Sequence, residues 1–162
     1  MKTLYILRHA KSDWDNAGLS DYERPLNKRG REAAPLMGEM MKTNEFQPPI
    51  IISSPAVRAR QTAELVRNAA ELTGAINFDS RIYEARPQTL LQIASEINDE
   101  FDSAIIVGHN PGLEGLIKIL TGETKPMPTA ALAVIDLDIA RWNQIASAAG
   151  DLRELIRPKE VG

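Results

Sequence analysis

Short apolar runs, spaced through the chain and separated by segments of helical period, constrain the fold most. KTLYIL (2–7), PIIISS (49–54), SAIIVG (103–108) and AALAVIDL (130–137) read as buried strands. Between the first two, Ala33, Leu36, Met37 and Met40 recur three or four residues apart, predicting a helix from Lys28 to about Met41. Further helices are expected over 55–72, ended by Gly74, over 89–98 and over 111–120. AINFD (75–79) is a weaker strand, and DLRELI (151–156) a last one after a helical turn near Arg141. Alternating strands and helices predict an α/β three-layer sandwich, with a mostly parallel central sheet flanked by helices. The last strands, joined without a full helix, are expected to run antiparallel.

Length and charge set the outer bounds. The 162 residues fit one domain, 1–162, large enough to bury a real core. Lys plus Arg is 19 and Asp plus Glu is 22, a net charge of −3, which argues against nucleic acid and anionic membrane as general partners. There is no cysteine, hence no disulfide, thiolate metal site or Cys nucleophile. No apolar stretch is long enough to span a bilayer, and the first apolar run is too short for a signal peptide. A cytoplasmic location is the expectation.

The chain has only two histidines, and each follows an apolar strand: His9 after Leu7-Arg8, His109 after Val107-Gly108. Sheets of this class bind ligands at the carboxyl ends of their strands, beside helix N-termini. Ser54 and Pro55, like Asn110 and Pro111, read as an N-cap and a first helical position. Arg58 then lies in the first turn of its helix, and helix side chains tilt toward the N-terminus, so it can reach back to the strand end. Two helix N-termini, Arg8, Arg58 and two imidazoles suit a dianion such as a phosphoryl group. Arg60 reads as solvated helix charge. Three uses fit this set. A metal site is poorly supplied, since two histidines are few ligands and arginines repel a cation. The others are phosphate binding without chemistry and covalent catalysis by a histidine that the arginines keep neutral.

LYILRHAKS, ISSPAVRARQTAE and VGHNPGLE, in that order on strand ends, resemble the signature segments of the histidine phosphatase superfamily, which includes the phosphoglycerate mutases and acid phosphatases. The resemblance covers nearly the whole chain. The short length, the segment SDWDNAGLSDYERPLNKRG and the lack of a large insertion look most like the small SixA branch, whose known members act on phosphohistidine in signalling proteins. Ala10 departs from the family's usual glycine, and Asp15 stands where the mutase branch has asparagine, with Asn16 one later. The second departure weakens a mutase reading.

The resemblance implies that His9 attacks phosphorus and becomes phosphohistidine. It implies that Arg8 and Arg58 clamp the phosphoryl oxygens and that His109 donates a further hydrogen bond. It also implies a general acid after the third strand, for which IYEARP offers Glu84. Asp13 and Arg24 are loop candidates for substrate contact. No cofactor and no metal are implied, and no P-loop or dinucleotide fingerprint occurs, Gly112 and Gly115 included. The expected function is a cofactor-independent phosphatase acting on a phosphorylated protein, with phosphohistidine as the bearing group. The alternatives are a phosphatase of a small phosphate ester and a non-catalytic phosphate-binding module. Trp14 and Trp142 are expected to pack, with lining the mouth of the site as the alternative for Trp14. Met37, Met40 and Met41 are expected to face a core, and RPKEVG to be a mobile tail.

Overall fold

The computed structural model, which describes residues 1–14, 17–147 and 149–161, turns the apolar runs into one six-stranded sheet. Its strands are β1 (Lys2–Arg8), β2 (Ile51–Ser53), β3 (Ile76–Phe78), β4 (Ser103–Gly108), β5 (Leu132–Leu137) and β6 (Gly150–Ile156). They lie in the order β3-β2-β4-β1-β5-β6. β3, β2, β4 and β1 run parallel, β5 is antiparallel to β1, and β6 is antiparallel to β5. This is the expected mostly parallel sheet with an antiparallel end.

Period-two alternation divides the core. Leu4 and Ile6 of β1 face one side with Ala104 and Ile106 of β4. Helices α3 (Pro87–Ser95) and α4 (Gly112–Thr121) cover that side through Leu90, Ile93, Leu113 and Leu116. Tyr5 and Leu7 face the other side with Ile105 and Val107. Helices α1 (Lys28–Thr43) and α2 (Val57–Ala70) cover it through Ala34, Met37, Met41, Ala59, Ala63 and Val66. Each fully buried Leu or Ile side chain contributes about 1.5–3 kcal/mol by leaving water. The methionines expected in the core are there, and Trp142 is wholly buried, its indole N–H donating to the Phe101 carbonyl at 2.8 Å.

Several boundaries differ from the sequence reading. α2 begins at Val57 and ends at Glu71, which takes the left-handed conformation at φ 56°, ahead of Gly74. α3 starts at Pro87, which holds the first helical turn, and stops at Ser95. The expected mobile tail instead forms α5 (Pro158–Val161), and Val161 packs against the α1/α2 side of the core. Trp14 does not pack: it is 75% exposed, with the Arg24 guanidinium 3.4 Å from its ring centroid. A cation over an indole face gains without burial. The long segment after β1 carries a short 3-10 helix at Asp21–Glu23 and is tied down by a bridge between Ser12 and Leu26. Asp15 and Asn16, which bear on the mutase comparison, lie outside the described residues. Asn27 closes the segment by accepting from Gly30 N at 2.9 Å, capping α1.

Candidate active site

β1 and β4 are paired with Arg8 opposite Gly108, so the residues that follow leave the sheet side by side. His9 and His109 are both buried, with ring centroids 5.2 Å apart. The adjacent ends of β1 and β4 therefore hold both histidines of the chain side by side, as the sequence pattern predicts.

The His9 Nδ1 lies 2.8 Å from the Ala10 carbonyl oxygen. A carbonyl only accepts, so Nδ1 carries the proton and the lone pair of the neutral ring is on Nε2. Burial pushes the His9 pKa down to about 3, and His109, Arg58 and Arg8 push the same way against the Ala10 bond. The expectation of a neutral His9 holds, but desolvation leads and the arginines assist. Ala10, the departure from the family glycine, is wholly buried, and its N–H donates to Thr62 Oγ1 at 2.9 Å.

His109 is lowered to about 4, first by burial and then by Arg58. Its Nε2 lies 2.7 Å from Ser54 Oγ, while its Nδ1 is buried with no partner among the described residues. Ser54 Oγ also accepts from Ala56 N at 3.2 Å. It can therefore donate its own proton to Nε2, which leaves Nδ1 as an N–H donor. The capping expectation fails here: Ala56 and Pro111 hold the N-cap positions of α2 and α4. Ser54 is spent on His109 instead, and Asn110 donates from Nδ2 to the Met127 carbonyl at 2.9 Å.

Arg8, the last residue of β1, donates to the Met127 carbonyl at 3.0 Å, and its buried Nε has no partner among the described residues. Arg58, the second residue of α2, is 6% exposed, and its Nε is likewise buried and unpartnered. Its terminal nitrogens donate to the Asp21 carbonyl at 2.7 Å and the Asp21 carboxylate at 3.0 Å. Arg60 is exposed, as its solvated reading requires.

Asp21, which the sequence reading did not single out, links the outer parts of the site. It accepts from Arg24 Nε at 3.1 Å and from the Tyr83 hydroxyl at 2.6 Å. The Tyr83 bond leads in holding its pKa down at about 2, with Arg58 and Arg24 adding to it against the desolvation that opposes them. Burial and the bond to the Asp21 carboxylate raise Tyr83 to about 12. The Tyr83 ring meets His109 edge-on at 5.5 Å and Tyr22 at 5.0 Å. A lone tyrosine after a weak strand carries no sequence signal of this contact.

Glu84, beside Tyr83, is exposed at φ 55°, a left-handed conformation uncommon for a residue with a side chain. Arg24 is 7% exposed and donates to Ser12 Oγ at 2.7 Å. It braces the loop and the Asp21 carboxylate rather than standing free. Asp13 lies in the same loop, its N–H donating to the Pro25 carbonyl at 2.9 Å. No cluster of His, Asp or Glu able to hold a metal occurs among the described residues.

The fold and site define a class: an α/β domain with paired strand-end histidines flanked by a half-buried arginine, Arg8, and a buried one, Arg58. The family model of the histidine phosphatase superfamily (branch 1) matches residues 4–104, and the chain belongs to that family. It is 28% identical over 139 residues to the phosphohistidine phosphatase SixA of Escherichia coli, covering 83% of this chain and 85% of the relative. A solved structure assigned as SixA in Agrobacterium tumefaciens is 29% identical, with a TM-score of 0.84 over 97% of this chain and 98% of that one. A protein histidine phosphatase SixA complexed with tungstate shares the fold at TM-score 0.86 and 24% identity, over 99% of both chains.

Proposed function

We propose that the chain is a phosphatase that works through a phosphohistidine on His9, and that its substrate is a phosphorylated protein. The observation that carries this reading is a set of three buried nitrogens, Arg8 Nε, Arg58 Nε and His109 Nδ1, with no partner among the described residues, the last an N–H donor when Ser54 donates to Nε2. Buried donors are otherwise paired, so such a set on the electrostatic neighbours of a neutral His9 suits an anion with several oxygens.

In the proposed reaction, His9 Nε2 attacks phosphorus, and a nitrogen–phosphorus bond forms as the bond to the leaving group breaks. The leaving group takes a proton from Glu84. The guanidinium groups and His109 hold the phosphoryl oxygens while negative charge shifts onto the leaving atom. Water then attacks the phosphohistidine, gives its proton to the Glu84 carboxylate, and releases phosphate, returning His9 neutral. Burial supports the first step, since a protonated His9 has no lone pair to offer. Where the substrate is itself phosphohistidine, the leaving group is an imidazole and less is asked of Glu84. The similarity to SixA, named a phosphohistidine phosphatase in Escherichia coli, supports a protein substrate.

The test is phosphate release from a phosphohistidine protein and from an aryl phosphate, in EDTA, by wild type and His9→Ala. The expected result is release by wild type with both and none by the variant. Release that survives His9→Ala, or that EDTA abolishes, contradicts the mechanism. Binding of phosphate by both proteins with no turnover supports a binding module instead.

A further inference from the structure

Beside the proposed catalytic pocket lies a groove of about 850 Å³ whose wall includes Arg8 but neither histidine. Asn110, next to His109, also lines it, so the groove opens directly off the strand end. The Arg8 guanidinium feels the charge of Arg58 on the pocket side and of Glu114 on the groove side. The groove is formed by the exit from β1, the first half of α1, the 126–129 segment and the residues around α5. The C-terminal segment, which reads as an idle tail in the sequence, supplies one of its walls.

Charge is distributed unevenly around this groove. Lys11, Arg29 and Lys159 join Arg8, against the carboxylates of Glu32 and Glu114, while Arg157 is paired with Glu160 at 2.8 Å. Glu114 is already engaged, accepting from Met127 N at 2.7 Å. Lys11, Arg29 and Lys159 form no ion pair among the described residues, whereas Lys42, Arg81 and Arg153 elsewhere on the surface do. A chain of net charge −3 thus holds a cluster of unpaired cations beside its site. The wall also holds the apolar residues Leu36, Pro126 and Pro128. A single small anion would use two or three cations at one point. Here the cations come from separate elements, the exit of β1, α1 and α5, and share the groove wall with apolar residues, which suits an extended chain carrying acidic side chains.

Resting on the phosphatase reading above, we propose that the groove docks an acidic, extended segment of the phosphorylated protein substrate, flanking the residue whose phosphoryl group enters the pocket. Arg8, shared by both, sets the register between the docked segment and the phosphoryl group. The segment supplies binding and substrate choice; the pocket supplies the chemistry.

The experiment measures binding of a fluorescein-labelled Asp/Glu-rich peptide without phosphate, by anisotropy, to the full chain as wild type, R29Q/K159Q and K11E/R29E/K159E. Wild type is expected to bind, and more weakly as salt rises. Losing and reversing these charges is expected to weaken binding stepwise, by roughly tenfold or more in the triple variant. Aryl phosphate kcat/KM is expected to stay within about twofold in both variants, because none of these residues touches the reacting atoms. Equal peptide affinity across the three proteins overturns the proposal, as does equal binding of a Lys-rich peptide. Charge-dependent binding of tripolyphosphate without binding of the peptide also overturns it, and assigns the groove to a small polyanion. The peptide carries no phosphoryl group, so its binding is read independently of turnover. Failure of the phosphatase reading appears separately, as wild type inactive toward both phosphodonors.

Discussion

At the scale of single residues, the site consists of ordinary groups whose protons are fixed by their neighbours. The Ala10 carbonyl assigns the His9 proton to Nδ1, and Ser54 can assign that of His109. The two histidines and two arginines were legible in the sequence because each sits at a strand end or in the first turn after one. Ser54 was legible only as a capping residue, and Asp21 and Tyr83 not at all. Their part depends on a loop crossing to a distant segment, which no local spacing reports. Ser54→Ala removes the partner of His109 Nε2 without touching the phosphoryl donors. It is expected to lower kcat by about tenfold or more, some 1.4 kcal/mol or above, with Ser54→Thr restoring most of it. Steady-state kinetics on an aryl phosphate reads this directly. A Ser54→Ala enzyme within twofold of wild type would show that His109 needs no orienting hydroxyl.

Among elements, strand positions were read well because continuous apolar runs leave few alternatives, and the antiparallel end followed from the missing crossover helix. Helix ends were read less well. Glu71 stops α2 in a left-handed turn, and α5 forms from a segment with no periodicity, held by Val161 against the core. Gly112, which reads only as the lack of a nucleotide motif, has a packing reason. A Cβ there would lie 2.4 Å from the Ala85 carbonyl oxygen, so the N-terminus of α4 presses on the loop that carries Glu84. Gly112→Ala must move one or the other, at a cost of about 1–3 kcal/mol. The urea midpoint is expected to fall by a corresponding amount, and an unchanged midpoint would mean the contact yields freely.

For the whole molecule, the buried histidines couple folding to pH. Both fold with pKa values lowered, His9 to about 3 and His109 to about 4, from 6.5. The unfolded chain therefore binds protons that the folded chain refuses, and stability falls as pH drops below about 6.5, down through these folded values. The lowered carboxylates act in the same direction at lower pH, Asp21 losing its contribution as pH falls through about 2. Between about pH 6.5 and 4.5 the histidines dominate, since ordinary carboxylates titrate below that window. Thermal melts are expected to show Tm falling across it in wild type and staying nearly level in His9→Asn/His109→Asn. A level wild-type profile would mean the imidazoles are far better solvated than their burial implies.

The central claim is a covalent phosphoryl group on His9, and intact-protein mass tests it most directly. Wild type and His9→Ala are mixed briefly with an aryl phosphate or a phosphohistidine protein in EDTA, and quenched without acid. The account predicts the added mass of one phosphoryl group on wild type alone, lost on heating in acid. An adduct of the same mass on His9→Ala, or phosphate release by wild type with no adduct under any quench, would contradict it.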